Sequence, residues 1–214
     1  MIDHKTKTRS RNSSRRKAGQ MILAIASIVS TGLLIFVAVL LFWSYPGKPK
    51  PLVDERGNPL PGSVSEKIFL DINGVKQGMF IKSKDATNPV LLYLHGGMPD
   101  YFLSEDYPTG LEDHFTVVWW EMRGSGISYS ANIPPETLTL EQMISDTLEV
   151  TDYLRQRFGQ EKIYLMGHSG GTFIGIQAAA QAPELYHAYI GEAQMSYQLK
   201  SEKLAYDYML QQFK

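Results

Sequence analysis

The chain is predicted to be an α/β protein in which an antiparallel hairpin leads into a mostly parallel sheet, preceded by one helix able to cross a membrane. Three observations predict this. Residues 21–43 contain no charged side chain. Two partly alternating segments flank Asn73-Gly74, a tight hairpin signal. Beyond them, continuous apolar runs of strand length alternate with stretches of helical period, the pattern of a sheet covered on both faces.

The uncharged run Met21–Trp43 is 23 residues long and at about 1.5 Å per residue spans roughly 35 Å, enough for a hydrocarbon core of about 30 Å. Trp43 and Tyr45 are amphipathic rings suited to the lipid–water boundary. Residues 1–20 carry Lys5, Lys7, Arg9, Arg11, Arg15, Arg16 and Lys17 against the single acid Asp3. That excess predicts a cytoplasmic N-terminus and an extracytoplasmic remainder at the cell membrane, in single-pass topology. A cleaved signal would have a shorter apolar region and a small-residue cleavage site, whereas Phe42-Trp43-Ser44-Tyr45-Pro46 follows here. The segment therefore reads as an uncleaved signal-anchor.

Residues 44–64 are rich in proline and glycine and read as a semi-rigid extended spacer. Residues 65–214 form the candidate catalytic domain. Glu66–Ile72 and Val75–Ile81 read as the hairpin strands, and Pro89–Leu94, Phe115–Trp120 and Lys162–Met166 as buried strands. Between the last two, Thr139 and Gln142 form a capping box for a helix of about twenty residues. Its buried stripe is Leu140, Met143, Ile144, Leu148, Thr151, Leu154 and Phe158, and Gly159 stops it. Thr172–Ala182 reads as a helix closed by Pro183, Tyr189–Gly191 as a short strand, and Glu202–Phe213 as a final helix.

Composition narrows the function classes. A formal net charge of −1 argues against a general nucleic-acid partner, which needs a basic surface. The absence of cysteine excludes disulfides, thiolate catalysis and Cys-based metal sites. No cofactor or metal is expected.

Three segments carry chemistry. Gly167-His168-Ser169-Gly170-Gly171 is a G-x-S-x-G motif between an apolar strand and a helix, the context it requires. Ser169 would stand on a strained turn with its hydroxyl above the sheet, and the Gly170 N–H would face developing negative charge. The alternative is a glycine-rich turn with an ordinary helix-capping serine. His95-Gly96-Gly97-Met98-Pro99 follows a strand directly, so Gly97 N–H is the natural second oxyanion donor. His95 reads as a brace for that loop, not a base. Trp119-Trp120-Glu121-Met122-Arg123-Gly124-Ser125-Gly126-Ile127-Ser128 follows another strand. Arg123 reads as a pin bonding backbone carbonyls, and the tryptophans as strand-end packing. The candidate site is thus Ser169, Gly97 and Gly170.

In this order and spacing the three motifs resemble the α/β-hydrolase superfamily, and within it the proline-iminopeptidase-like branch, over roughly residues 66–195. The resemblance implies the α/β-hydrolase fold, with an eight-stranded, mostly parallel sheet. It also implies acyl transfer by a serine nucleophile, with acid and then histidine following in the chain. The oxyanion loop departs from H-G-G-P-G by Met98-Pro99, and Glu121 stands where Asp is usual, which weakens inference to prolyl-peptide specificity.

A serine hydroxyl needs a histidine to take its proton and an acid to orient that histidine. After Ser169 the last histidine is His187, at the far end of the following helix and roughly 20–25 Å away. His168 neighbours the nucleophile and diverges from it. Glu192 is a candidate acid with no histidine to orient. The domain thus reads as incomplete after about the sixth strand, a C-terminally truncated, membrane-anchored serine hydrolase, peptidase- or esterase-like, inactive as written. Its expected partners are a small-molecule or peptide substrate and, through residues 21–43, the membrane; oligomeric state is unreadable. The alternative is a non-catalytic, membrane-tethered protein binding a ligand through the Gly97/Ser169 cleft. A third reading keeps the fold and changes the reaction to that of a lyase or dehalogenase.

Overall fold

Residues 3–44, 49–97, 103 and 109–213 are described by a computed structural model of the chain. It divides into two units, residues 1–47 and 48–214.

The first unit is one helix, α1 (Asp3–Ser44). Its stretch Gly19–Trp43 is 25 residues long with a mean hydropathy of 2.7, long and apolar enough to cross a membrane. A helix satisfies all its backbone polar groups internally, which is what a hydrocarbon environment demands. Tyr45 lies outside the described residues.

The second unit is built on six strands: β1 (Val64–Ile72), β2 (Val75–Ser83), β3 (Val90–Leu94), β4 (Thr116–Trp120), β5 (Ile163–His168) and β6 (Tyr186–Glu192). They lie in the order β1-β2-β4-β3-β5-β6. β1, β2 and β4 pair antiparallel, and β4, β3, β5 and β6 run parallel. The Asn73-Gly74 hairpin closes as expected: φ is 47° and 74° at the two residues, the left-handed pair a two-residue turn needs to match strand twist.

Every residue of β3 and β4 is buried, so their apolar runs face cores on both sides. On one side, Leu92, Leu94, Val118 and Trp120 pack with Ile144, Val150 and Leu154 of helix α2 (Leu140–Phe158) and Ile174 and Ala178 of helix α3 (Gly170–Gln181). On the other, Phe80, Tyr93, Val117 and Trp119 form a smaller cluster with Leu103. β5 alternates buried and half-buried, so only one face of this strand is fully covered, although an apolar run suggested two. Helix α4 (Gln198–Gln212) has no buried residue.

Three local expectations change. The capping box of α2 is only half formed: Thr139 accepts from Gln142 N at 3.2 Å, but the Gln142 amide donates to Asp146 instead of returning to Thr139. The stripe of α2 also includes buried Asp146, Thr147 and Val150, which shifts its centre. The region read as an extended spacer is folded from residue 49 onward. Asp54 accepts from the Arg56 and Asn58 amides at 2.9 Å, Val53 bridges Pro59, and Lys50 O accepts from Ser65 Oγ. Proline and glycine here serve a tight turn, not reach.

Candidate active site

β5 ends at His168, α3 begins at Gly170, and Ser169 is the whole connection. Its backbone sits at φ 49°, ψ −117°, a conformation that costs a non-glycine residue about 1–3 kcal/mol. The surroundings impose it. Ser169 N donates to Glu192 O at 2.9 Å, and Ser169 O accepts from Thr172 N at 3.0 Å and from Thr172 Oγ1. The hydroxyl makes no capping bond to α3. The alternative of an ordinary helix-capping serine therefore fails on both torsion and bonding.

The two glycines of the motif are there because backbone passes too close for anything larger. A Cβ on Gly167 would lie 2.7 Å from Gly171 O, and one on Gly171 would overlap Leu94 O and lie 2.7 Å from His95 O. α3 is thereby pressed against the end of β3. Gly171→Ala is expected to destabilise the domain by at least the roughly 1–3 kcal/mol typical of core overpacking, because a carbonyl on a buried strand cannot retreat. Thermal unfolding of that variant is the check, and an unchanged midpoint would contradict the close approach.

Contact between β3 and α3 also brings the two glycine loops together. A Cβ on Gly96 would sit 3.1 Å from Ser169 Cβ, and one on Gly170 would sit 3.7 Å from Gly97 N. The Gly97 and Gly170 amides border a cleft of about 290 Å³ whose other walls include Met122, Met143 and Ile174. The arrangement joins a hydroxyl-bearing strained turn, the Gly170 amide at the N-terminus of α3, the nearby Gly97 amide of the loop after β3, and an apolar wall. Such a set can accept a carbonyl group and the negative charge that develops on its oxygen. Met98 and Pro99 of the loop after β3 lie outside the described residues. Among the described residues, no group of three metal-ligating side chains occurs.

His95 is half of a brace, as expected. Its Nδ1 lies 2.6 Å from Gly96 O, its Nε2 3.0 Å from Ser125 Oγ and 3.8 Å from Glu121 Oε2, and its ring stacks on Trp119. Trp119 and Trp120 are buried and bonded through their indole N–H groups to Glu121 and Gln77, which makes them packing residues. Arg123 does bond carbonyls, those of Ile72 and Asn73 at 3.3 Å, but its main partner is Asp146 (Nε–Oδ2 2.7 Å, with a second bond at 3.0 Å).

Asp146 was not singled out from the sequence. It is buried on α2 and also accepts from Asn73, Gln77 and Gln142 at 2.8 Å. Burial pushes its carboxyl up, but the Arg123 guanidinium and the three amide donors outweigh this and hold it below the ordinary carboxylate range. Burial pushes the Tyr186 hydroxyl up, partly countered by its bond to Thr151.

The remaining polar candidates separate by strand polarity. Ser169 lies at the C-terminal end of β5, where His168 and Glu192 are in register. His187 is near the start of β6, five residues before Glu192, or roughly 17 Å along a strand. His114 likewise precedes β4. Both stand at the opposite end of the parallel strands from Ser169.

Comparison with known proteins gives the site its context. The family described as the alpha/beta hydrolase fold matches residues 89–213. A probable aminopeptidase of Bacillus subtilis is 39% identical over 142 residues, covering 65% of this chain and 45% of the relative. An esterase of Thermotoga maritima is 25% identical, covering 57% and 31%. The chain spans less than half the length of these curated relatives. Among solved structures, a proline iminopeptidase-related protein from Thermus thermophilus is 22% identical, with a TM-score of 0.49, covering 60% of this chain and 44% of that one. With the family match extending over more than half its length, the chain belongs to the α/β hydrolase fold family.

Proposed function

We propose that the chain is the nucleophile-bearing part of a membrane-tethered serine hydrolase that transfers the acyl group of a peptide or ester to water. The observation that carries this is the strained, non-capping conformation of Ser169 beside the Gly97 and Gly170 amides. Strain of this kind persists only where the surroundings enforce it, and it clusters where chemistry needs it. Ser169 Oγ attacks the substrate carbonyl carbon. The carbonyl oxygen takes the charge and is received by the two amides, the leaving group departs with a proton, and water then cleaves the acyl-serine. The names of the curated relatives, an aminopeptidase and an esterase, support a peptide or ester substrate, within the proline-iminopeptidase-like branch.

Oγ must lose its proton to a base. His95 is engaged by Gly96 and Ser125, His168 directly precedes Ser169 at the end of β5, so the two side chains diverge, and His114 and His187 lie at the opposite end of the parallel strands. The base therefore comes from outside the described residues, and these residues by themselves are inactive. The test is hydrolysis of an activated ester and an aminoacyl anilide at neutral pH. The 214 residues alone should match their Ser169→Ala variant. A longer polypeptide carrying the base should lose about 10³-fold or more on the same substitution. Undiminished turnover by that variant would refute the proposal.

The absence of a placed base among the described histidines favours one second reading, a tethered, non-catalytic protein that binds a carbonyl ligand in the cleft. Saturable ligand binding with no Ser169-dependent turnover in any longer form would select it.

For topology we propose that α1 is an uncleaved anchor, with residues 1–20 cytoplasmic and the hydrolase domain outside, supported by the basic flank. The chain has no cysteine, so single cysteines report sidedness cleanly. Glu55→Cys should react with an impermeant maleimide in intact cells, and Ser10→Cys only after lysis; the reverse pattern would overturn the assignment.

A further inference from the structure

We infer, on the reading of α1 as a membrane span, that its basic end is a binding site for anionic phospholipid headgroups, with Arg15, Arg16 and Lys17 as the contact residues.

The basic residues of the first twenty all lie between Lys5 and Lys17, and the only acid in that stretch of twenty is Asp3. α1 runs unbroken from Asp3 to Ser44, so the charges share one helix with the apolar stretch Gly19–Trp43. Local preference opposes helix at this end. Lys5 and Arg9, Lys7 and Arg11, and Arg11 and Arg15 are like charges four residues apart, and each such pair destabilises a helix. Thr6, Thr8, Ser10, Asn12, Ser13 and Ser14 are weak helix formers. Asp3 comes within helical pairing distance of Lys7 alone, so the other basic residues have no acid three or four positions away. A helix whose charges are merely solvated usually interleaves acids for this reason. Propagation from the apolar span supports the helix, and a negative layer outside it supplies the counter-charge that the sequence withholds.

Position along α1 selects the lipid as that layer. Arg15, Arg16 and Lys17 precede Gly19 by four, three and two residues, or about 6, 4.5 and 3 Å of helical rise. The polar layer between hydrocarbon and water is about 5–7 Å deep, so these three residues stand at the depth of the phosphates. Lys17 is exposed. Three consecutive positions fan over about 200° of a helix, which meets headgroups on more than one side. Arginine engages a phosphate with two parallel N–H bonds and lysine as a point charge. Arg9, Lys7 and Lys5 lie about 15–21 Å out along the helix. That is at or beyond a Debye length of about 8 Å from the phosphates at 0.15 M salt, so they add little. The opposite end of the span has no such cluster, since Phe42, Trp43 and Ser44 are uncharged. A free polyanion such as RNA would meet the outer residues as readily as the inner three, and nothing in its chemistry calls for a bilayer beside them.

The test uses the full 214-residue chain in symmetric phosphatidylcholine vesicles doped with phosphatidylglycerol, so that insertion in either direction gives the same lipid contacts. Spin-labelled forms of the two lipids report which one the protein holds at its surface. At 0.15 M salt the wild type should favour phosphatidylglycerol about fivefold, the selectivity that one basic residue near the surface supplies. Arg15→Gln/Arg16→Gln/Lys17→Gln should bring the two lipids close to parity, and Lys5→Gln/Lys7→Gln/Arg9→Gln should keep most of the preference. Glutamine retains helix propensity, and both variants remove the same charge. Parity in the wild type, or equal losses in the two variants, would overturn the inference and leave the span standing. Binding of single-stranded RNA by a wild type at lipid parity would assign the basic end to nucleic acid instead. A chain that fails to float with pure phosphatidylcholine vesicles after alkaline extraction would overturn the reading of α1 as a span, and the headgroup site with it.

Discussion

Replacing Ser169 by glycine is expected to stabilise the domain and, in a longer polypeptide that carries the base, to abolish reaction with serine-directed probes. The backbone at φ 49°, ψ −117° is open to glycine and strained by about 1–3 kcal/mol for any residue with a Cβ. Glycine releases that strain but costs about 0.5–1 kcal/mol in backbone entropy. The net gain is up to about 2 kcal/mol, or several degrees in midpoint for a domain of this size. Ser169→Ala is the control. It removes the same hydroxyl and keeps the Cβ, so it should lose the reaction equally and unfold close to the wild type. A glycine variant no more stable than the alanine variant would mean that the turn is not strained. In that case the main structural sign of a nucleophile would be lost.

The second large effect is expected at Asp146. Its carboxylate is buried and carries both bonds to the Arg123 guanidinium as well as those from Asn73, Gln77 and Gln142. Asp146→Leu leaves a buried guanidinium without a counter-charge, which should cost about 3–5 kcal/mol. Removing the arginine as well, with Arg123→Met, should restore part of this and not all, because three amide donors remain without their acceptor. A double variant as stable as the wild type would show that those amides find other partners. The ion pair also sets a pH dependence. The folded carboxyl sits below its ordinary value of 3.8, so the unfolded state binds the proton first as pH falls. The stabilisation is complete well above 3.8 and drains away as pH falls through the lower folded value. Unfolding midpoints of the wild type should therefore drop in that acid window more steeply than those of the Asp146→Leu/Arg123→Met pair. Parallel curves would contradict the depressed carboxyl.

Much of this architecture was legible because each element announces itself locally. Asn73-Gly74 can hardly be anything but a hairpin turn, Gly159 closes α2 in the left-handed conformation with φ 62°, and the G-x-S-x-G glycines are explained by the strand carbonyls they admit. What was not legible depends on partners distant in the chain. Asp146 is one acid on an amphipathic helix, and nothing in its spacing points to an arginine 23 residues earlier. Gln142 stands where a capping box wants it, yet its amide is drawn to Asp146 because a buried carboxylate is the stronger acceptor. The turn within the proline-rich stretch before β1 is not legible from composition, which does not separate a spacer from a tight turn. Asp54 with Arg56 and Asn58 supplied the turn signal. For the site, Ser169, Gly97 and Gly170 meet through the contact of β3 with α3, and the order of the motifs along the chain anticipated that contact.

The measurement closest to the central claim is the location of the adduct formed by a fluorophosphonate on a folded, longer polypeptide that carries the base, by peptide mapping and mass spectrometry. The account predicts a single modified residue, Ser169, lost in both the alanine and the glycine variants. Modification at Ser125 or any other side chain, or none on that longer polypeptide shown to be folded, would contradict it.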